Sequence, residues 1–238
     1  MSRTLRTVSV PALEAIPGLV HGFEQRLGPA GWEDHDETRR RVSAALAGSG
    51  HLHLLKQVHG CRVETAPWEG RPEADAAVSD EAGEILGIET ADCQPVLLVD
   101  PVARRVAAAH AGWRGTAAGV TRAAVAALVA RGSRPADILA ALGPAIGVCC
   151  YEVGPELRES FAAEFFQPGP GVKLHLDVRA ANVRQLEQAG IAPAHIYHVA
   201  DCTRDRPDLY HSYRRDGKGA GRMISFVGFA RAGAAARP

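Results

Sequence analysis

The stretch ILGIETADCQPVLLVDPVARRVAAAHAGWRGT, residues 85–116, decides the fold class of this chain. It contains three short apolar runs, at 85–90, 95–99 and 105–110, whose length and composition predict β-strands. The dipeptide Asp100-Pro101 predicts a turn between the second and third runs. The tetrapeptide TADC, residues 90–93, separates the first two runs and places Cys93 on or just before a buried strand.

Strands and helices alternate on both sides of this stretch. The segment GWRG, residues 112–115, predicts a tight turn, and an apolar stripe over 116–130 predicts a helix that Gly132 ends. A polar stretch begins as a surface loop at 24 and leads into a predicted helix at 37–46. Further helices are predicted at 155–166 and 178–189. Strands are predicted at 138–142, 174–176 and 196–199, and a hairpin is predicted from 210–213 with 223–229. The pattern favours a layered fold of the mixed α/β or α+β class.

Length and composition indicate one globular domain. The 238 residues contain no linker and no repeat, so we expect a single domain over 1–238, with the Ala- and Arg-rich segment 230–238 as a flexible tail. The hydrophobic fraction of 46% and the charged fraction of 23% lie near globular averages. This composition excludes disordered, collagen-like and coiled-coil chains.

The charge balance and the cysteines predict the location and the partners of the chain. With 27 basic and 27 acidic residues and no basic stripe, the sequence argues against a nucleic-acid partner. No apolar run reaches the roughly 18 residues of a membrane span, and the N-terminal segment lacks the apolar core of a secretory signal. The five cysteines occur singly or as one adjacent pair, which favours free thiols or metal ligands in a reducing cytoplasm.

Three residues with ligand or base chemistry lie beside glycines at predicted strand edges. They are His59 in KQVHG, Cys93 in TADC and His110 in AHAGWRG. If they converge, two imidazoles and one thiolate form a three-ligand site whose fourth position is open, which is the arrangement of a catalytic zinc. The alternative is a small core cysteine with two histidines held by hydrogen bonds at strand ends.

Other polar positions have two interpretations each. Arg114 lies in a glycine-flanked turn at the start of a predicted helix, which suits an anion site for phosphate or carboxylate, although a surface ion pair explains it equally well. Asp92 can orient a ligand, act as a base or cap the loop. The segment RRDG, residues 214–217, is either an anion clamp or a charged hairpin turn.

Two further motifs favour structural roles. The adjacent Cys149 and Cys150 are interpreted as a buried pair, because neighbouring cysteines seldom form one disulfide. The pair His51 and His53 resembles part of a copper pattern but is more simply one solvated face of a strand.

Six motifs together resemble the YfiH-type laccase-domain family, in the same order and over residues 16–229. The motifs are KQVHG (56–60), ADAAVSD (74–80), TADCQPVLLVDP (90–101), AHAGWRGT (109–116), LGPAIGVCCYEVG (142–154) and YRRDG (213–217). The resemblance implies an α+β fold, a single-domain sandwich of mixed β-sheets with helices packed outside. It also implies a zinc ion bound by His59, Cys93 and His110.

The resemblance further implies enzymatic activity on small molecules. Members of the family are credited with phosphorolysis of adenosine, inosine, guanosine and 5′-methylthioadenosine, and with adenosine deamination. Some relatives are linked instead to peptidoglycan editing, in which L-serine is removed from a UDP-sugar precursor. The family name records an older interpretation as a copper polyphenol oxidase.

The leading hypothesis is a zinc-dependent purine nucleoside phosphorylase with adenosine deaminase activity. Zinc lowers the pKa of bound water, which suits attack at the purine C6. For phosphorolysis, the metal and Arg114 would hold phosphate, with Asp92 as a candidate proton donor. The alternatives are an amidohydrolase with Cys93 as nucleophile and His110 as base, and a metal-stabilised binding module. A copper laccase is the weakest option because the sequence offers one His-x-His pair.

Overall fold

The computed structural model describes residues 5–27 and 34–234. The strands of these residues, in chain order, are β1 (Thr7–Val8), β2 (Leu19–Glu24), β3 (His51–Leu54), β4 (Val63–Thr65), β5 (Ala76–Ser79), β6 (Glu84–Thr90), β7 (Gln94–Asp100), β8 (Arg105–Ala111), β9 (Leu139–Leu142), β10 (Glu152–Val153), β11 (Phe166–Pro168), β12 (Leu174–Leu176), β13 (Ile196–His198) and β14 (Met223–Phe229). The α-helices are α1 (Pro11–Glu14), α2 (His35–Leu46), α3 (Trp113–Ala118), α4 (Val120–Ala130), α5 (Val178–Gln188) and α6 (Tyr213–Asp216).

Two large sheets form a sandwich with helices on its outer faces. One sheet has the strand order β1-β2-β14-β6-β3 and the other β13-β9-β7-β8-β5-β4, while a small third sheet has the order β10-β12-β11. The core between the large sheets includes Phe23, Leu86, Ile88, Val227, Leu97, Val99 and Val106. Helix α2 packs on the outside of the first sheet, and α4 and α5 pack on the outside of the second. The predicted α+β sandwich of mixed sheets is therefore confirmed.

Strands β7 and β8 are buried on both faces, which explains their uninterrupted apolar sequences. Val96 and Leu98 of β7 face the helices α4 and α5, and the alternate residues Leu97 and Val99 face the opposite sheet. The two strands pair in antiparallel register, with Pro95 opposite His110. A strand with two buried faces needs apolar residues at every position instead of at every second one. This register places His110, near the end of β8, beside the start of β7.

The helix predicted at 116–130 is wrong in its limits, because two helices occupy the segment. The segment GWRG does not form an isolated tight turn, since Gly112 caps α3 and helical geometry begins at Trp113. Gly119 then adopts a left-handed φ of 85° and ends α3 before α4 begins. Glycine is favoured in this conformation because it lacks a Cβ. The break separates α4, which packs on the sheet, from α3, which directly follows the end of β8.

The helix predicted at 155–166 is also wrong. The segment forms two short 3-10 helices, Pro155–Glu159 and Ala163–Phe165, and Phe166 then enters strand β11. Leu157 and Phe161 have helical spacing, but both pack against the small sheet that β11 completes. Pairing of Phe166 with Leu176 therefore overrides the local periodicity.

The predicted hairpin of 210–213 with 223–229 does not form. Strand β14 is paired on both sides, with β2 and with β6, so that neither of its edges is free. Residues 210–212 form no strand, and the following residues form the short helix α6. The segment that follows β13 therefore lies outside the sheets and reaches the candidate site described below.

The remaining predicted elements are confirmed within one or two residues at β6, β7, β8, β9, β12, α5 and β13. Helix α2 begins at His35, after the N-cap Asp34, and residues 28–33 of the predicted surface loop lie outside the described residues. In the predicted tail, Ala230 and Arg231 donate backbone hydrogen bonds to Gly18 and Ser49, and residues 235–238 lie outside the described part. Within the described ranges, no helix has the length and apolar character needed to span a membrane.

Candidate metal centre and cavity

The candidate site forms where the chain crosses from one large sheet to the other. Strand β6 belongs to the first sheet and β7 to the second, and only residues 91–93 join them. Asp92 makes the crossing with a left-handed φ of 90°. This turn leaves Cys93 at the start of β7, next to the end of β8 that carries His110. His59 lies on the segment between β3 and β4 and also has a positive φ, of 62°.

His59, Cys93 and His110 converge in this place. Their candidate ligand atoms all lie within 4.8 Å of one another, and the two imidazole centroids are 4.9 Å apart. His110 is buried, Cys93 is half-buried and His59 is exposed. One side of the group therefore faces the interior and the other side is accessible to a substrate.

The buried carboxylate of Asp75 holds two of the three residues in place. Its Oδ1 accepts hydrogen bonds from His110 Nδ1 at 2.8 Å and from the His59 backbone N–H at 2.9 Å. Its Oδ2 accepts from the backbone N–H groups of Val58 at 3.1 Å and Gly60 at 2.7 Å. Burial raises the pKa of Asp75, but the bonds from His110 and the backbone outweigh it and hold this pKa below its usual range. Asp75 therefore fixes both the ring of His110 and the loop that carries His59.

The thiol of Cys93 and the imidazole of His110 favour opposite charges. Burial raises the pKa of Cys93, but the charge and hydrogen bond of His110, with a contribution from His59, lower it to about 6. Burial lowers the pKa of His110, but the Cys93 thiolate and Asp75 raise it to about 9. Without a metal, the pair is a thiolate and an imidazolium near neutral pH.

The donor set fits a metal ion. Because His110 Nδ1 is bonded to Asp75, its Nε2 is the nitrogen left for a metal, which is the carboxylate–histidine arrangement found around protein-bound zinc. A thiolate and two imidazoles are ligands that zinc favours, and three protein ligands leave one position open. The packing around them is tight: a Cβ at Gly112 would lie 2.9 Å from Cys93 Sγ and 3.2 Å from His59 Cδ2.

The pKa values predict how Cys93 reacts in metal-free protein. The alkylation rate of Cys93 follows the thiolate fraction, so it should rise as the pH increases through about 6 and then level off. In the His110→Gln variant the stabilising cation is absent, and the midpoint should move upwards toward the pKa of an ordinary thiol, about 8.5. The measurement is the rate of iodoacetamide labelling against pH, with chelator present and Cys93 followed by mass spectrometry. Equal midpoints in the two proteins would contradict the ion pair.

The three residues lie in the wall of a cavity of about 630 Å³. Five cationic side chains also line it, whereas its acidic side chains are Glu89 and Asp92. The five are Arg39, Lys56, Arg71, Arg214 and Arg222. Apolar and aromatic surface comes from Ile146, Tyr151 and Tyr213. The cavity therefore combines the three candidate metal ligands, an excess of positive charge and ring surfaces.

The cations of the cavity differ in how far they are neutralised. Arg39 donates two hydrogen bonds to Glu89, at 2.8 and 3.1 Å, and Arg71 forms an ion pair with the same carboxylate. Arg214 donates to the Glu152 carbonyl and lies over the Tyr151 ring. Arg222 donates to backbone carbonyls at its own turn. Among the described residues neither Arg214 nor Arg222 forms an ion pair, so both charges remain available to an anionic ligand.

Of the two further candidate residues, Asp92 lines the cavity and Arg114 does not. Asp92 lines the cavity, and its oxygens accept hydrogen bonds from Thr203 Oγ1 and from the Arg214 backbone N–H, both at 2.6 Å. Through the bond from Arg214, Asp92 holds the start of α6 close to Cys93. Arg114 is exposed, stacks on the Trp113 ring with its guanidinium 4.4 Å from the centroid and does not line the cavity. The structure thus brings Asp92 to the three candidate ligands but not Arg114.

The other sequence motifs have separate surroundings. His53 is buried, bonded to Glu84 and packed against Trp68, so it does not share a solvated face with the exposed His51. Cys149 is exposed and Cys150 is buried, so the predicted buried pair is half correct. In the RRDG segment, Arg214 faces the cavity while Arg215 bonds to the carbonyls of Thr203 and Arg204, outside any hairpin.

Asp75, Tyr151 and Arg222 are site residues that sequence reasoning did not identify. Asp75 occurs within the quoted ADAAVSD motif. Its position directly before a buried strand is the sequence feature that could have identified it. Tyr151 lies two residues after Cys149, and its pKa is raised to about 12 by burial and by the nearby Cys93 thiolate. Arg222 had no signal, because its position depends on how the segment before β14 approaches the cavity.

The chain as a whole is similar to proteins that are named as enzymes. A family model described as multi-copper polyphenol oxidoreductase laccase matches residues 33–230. The chain is 39% identical over 203 residues to a purine nucleoside phosphorylase of Deinococcus radiodurans, covering 82% of this chain and 77% of that protein. It is 37% identical over 198 residues to adenosine deaminase RL5 of an unknown prokaryotic organism, covering 74% of each chain. The crystal structure of YlmD from Geobacillus stearothermophilus is similar with a TM-score of 0.84, at 30% sequence identity, over 97% of this chain and 98% of that one.

Proposed function

Since the chain belongs to the multi-copper polyphenol oxidoreductase laccase family, which includes the YfiH-type proteins, we propose that it is a zinc-dependent purine nucleoside phosphorylase with adenosine deaminase activity. The observation that carries the proposal is the His59, Cys93 and His110 group in the wall of a cationic cavity. We place this activity in the reducing cytoplasm, which fits the five free cysteines.

The metal would be held by His59, Cys93 and His110. A zinc ion held there would supply a Lewis acid that lowers the pKa of a water molecule to about 7. The chain orients the group through Asp75, which holds His110 and the backbone of His59. It also limits solvent on one side, because His110 and Asp75 are buried.

Phosphorolysis needs a phosphate held against the ribose C1′. An oxygen of hydrogen phosphate forms the new bond to C1′, the bond from C1′ to the base breaks, and the proton of the hydrogen phosphate ends on the leaving base. Arg214 and Arg222 are suited to hold the phosphate, since they line the cavity and form no ion pairs among the described residues. They take the role that the sequence suggests for Arg114, which stacks on Trp113 and is not among the residues that line the cavity. Positioning and charge stabilisation of this kind supply much of the barrier reduction.

A purine nucleoside fits the remaining surface of the cavity. Tyr151 and Tyr213 offer ring faces for a base, and the volume of about 630 Å³ lies within the range of small-molecule sites. In deamination, water adds at the purine C6 and ammonia leaves. Asp92 positions the loop for either reaction, because its oxygens are occupied by Thr203 and the Arg214 backbone.

A second candidate function is an amidohydrolase that edits L-serine-containing UDP-sugar precursors. The observation that favours it is the ion pair of Cys93, with its pKa lowered to about 6, and His110, with its pKa raised to about 9. A thiolate beside an imidazolium is an activated nucleophile and its acid. This function requires the metal-free state of the site.

A copper laccase has less support, although copper would also accept these ligands. The described residues contain two groups of three or more potential ligands, and His51 and His53 belong to neither. Transfer of four electrons to oxygen requires several copper ions held largely by histidine. One site with two histidines and a thiolate suits zinc better.

The experiment that tests the proposal is product analysis with matched variants. Zinc-loaded protein is incubated with adenosine, with and without phosphate, and the products are separated by chromatography. We expect adenine and ribose 1-phosphate only with phosphate, and inosine without it. His59→Ala removes an exposed ligand without opening the core, so it should fold and lose at least about 100-fold in kcat/KM. Val102→Ala, a highly exposed position at the β7–β8 turn, is the control and should retain full activity.

Two results would overturn the proposal. Unchanged product formation by His59→Ala would exclude the three-residue site. Release of L-serine from the UDP-sugar precursor by metal-free protein, with no product from adenosine, would support the amidohydrolase instead.

A further inference from the structure

A second group of metal-binding side chains lies apart from the first. It consists of Cys149, Cys150, Cys202 and Asp205, whose candidate ligand atoms all lie within 4.8 Å of one another. None of the four lines the cavity that contains Cys93. The proposed nucleoside chemistry therefore does not use them.

The chain brings these residues together through two loops. Ala145 pairs with Cys202 in an isolated parallel bridge, and the Thr203 N–H donates to the Ala145 carbonyl at 3.0 Å. Cys150 Sγ lies 2.9 Å from Asp205 Oδ1, and Cys149 Sγ lies 3.3 Å from Asp205 Oδ2. The Gly147 N–H points at Cys202 Sγ at 3.3 Å. Backbone pairing thus aligns the two loops, and the four side chains meet between them.

We propose that Cys149, Cys150, Cys202 and Asp205 form a structural zinc site. Three thiolates and one carboxylate complete a tetrahedron, the usual arrangement of a closed structural zinc site. With zinc bonds of roughly 2.0–2.3 Å, tetrahedral ligand atoms are separated by roughly 3.5–3.8 Å. Spacings within 4.8 Å are therefore close to those required, and movement of exposed side chains can supply the remainder.

The surroundings of the group are suited to its charge. Three thiolates, one carboxylate and Zn²⁺ have a net charge of about −2, which follows from the charges of deprotonated ligands. Arg204 lies within hydrogen-bond reach of Cys150, and the half-buried Arg179 is close enough to interact electrostatically with Cys202 and Cys149. The Gly147 N–H supports the sulfur of Cys202, as outer groups around metal sites commonly do.

A metal at this position would stabilise one wall of the cavity. The loop of Cys149 and Cys150 also contains Ile146, which lines the cavity. The loop of Cys202 contains Thr203, whose hydroxyl bonds to Asp92 beside Cys93. Joining the two loops would therefore hold Thr203 against Asp92, whose carboxylate in turn accepts the backbone N–H of Arg214.

The same three cysteines could instead form a disulfide, which would exclude the metal. Oxidation would join two sulfurs and release two protons and two electrons to an oxidant. The structure has all five cysteines as free thiols. Asp205 argues for the metal, because a carboxylate adds a ligand to an ion but adds nothing to a disulfide.

The test uses the full chain with the first site disabled, so that it does not depend on the proposed activity. His59→Ala/Cys93→Ala protein is purified with a non-chelating reductant and titrated with Co²⁺ as a spectroscopic probe. We expect about one Co²⁺ per chain with strong thiolate-to-cobalt charge-transfer absorption, and a higher Tm with Zn²⁺ than with chelator. Adding Cys149→Ser or Asp205→Asn, both exposed positions that should not disturb folding, should weaken binding at least about 10-fold. Adding Cys61→Ser, an exposed thiol outside both groups, should leave binding unchanged.

Three results would overturn the second site. They are no cobalt binding by the parent variant with its thiols reduced, equal binding after Cys149→Ser and Asp205→Asn, and a Cys202 disulfide in protein prepared without oxygen.

Discussion

Replacing Asp75 with asparagine is expected to lower the zinc affinity of the His59, Cys93 and His110 site by about 10- to 100-fold. The two carboxylate oxygens of Asp75 accept four N–H groups, from His110, His59, Val58 and Gly60. An asparagine replaces one oxygen by NH₂, so one pair of these donors faces another donor. If that pair includes His110, the ring loses its fixed tautomer. If it is the pair from Val58 and Gly60, the loop that carries His59 loses its anchor.

The unfolding free energy should decrease as well, because each buried donor left without an acceptor costs about 1–3 kcal/mol. Zinc affinity is measured by competition with a chromophoric chelator, and stability by denaturant unfolding. Asp100→Asn is the matched control: this buried carboxylate caps the β7–β8 turn through the N–H groups of Val102 and Ala103, far along the strand from His110. It should leave zinc affinity unchanged, because both N–H groups bond to Oδ1 and the carbonyl oxygen of asparagine can still accept them. Equal affinities of wild-type and Asp75→Asn protein would show that Asp75 does not position the ligands.

The substitution Gly112→Ala is expected to reduce turnover by about 100-fold while the fold persists, since an error of about 1 Å at a reacting centre has this effect. Its new Cβ would lie 2.9 Å from Cys93 Sγ and 3.2 Å from His59 Cδ2, so both candidate ligands must move. The backbone itself accepts alanine, because the φ of Gly112 is −67°. The damage should therefore be confined to the metal ligands.

Gly48→Ala serves as the comparison for this prediction. No heavy atom lies within 4 Å of a Cβ at Gly48, and we expect normal kcat/KM. Zinc content, kcat/KM for adenosine and Tm are measured for both variants. A Gly112→Ala enzyme with wild-type kcat/KM would show that the three side chains need not be packed as the structure has them.

Much of the candidate site could be predicted because its chemistry lies in residue types at strand ends and in a glycine-containing loop. His59, Cys93 and His110 each combine a ligand side chain with a neighbouring glycine or sharp turn. The buried strands β7 and β8 could be identified from uninterrupted apolar runs. Joined through a short turn, they had to pair in a register that brings His110 near the start of β7. The local sequence is thus sufficient to predict the three candidate ligands and the two strands β7 and β8.

Asp75, Arg222 and the hairpin error show what local sequence lacks. Asp75 meets His110 because β5 pairs with β8, and a single sequence does not specify which distant strands pair. The sequence predicts a hairpin of 210–213 with 223–229 because it does not show that β2 and β6 occupy both edges of β14. The helix start at Arg114 suits an anion site, yet its guanidinium stacks on the Trp113 ring and the residue is not among those that line the cavity. These features depend on tertiary pairing, which overrides local preference.

The measurement that tests the central claim most directly is phosphorolysis as a function of zinc occupancy of the His59, Cys93 and His110 site. Metal-free Cys149→Ser protein, in which the second group is weakened, is loaded with graded zinc, and ribose 1-phosphate formed from inosine and phosphate is quantified. We predict that product formation rises in proportion to zinc and levels off at about one ion per chain. Full activity before zinc is added, or no product at full occupancy, would contradict a zinc-dependent nucleoside phosphorylase.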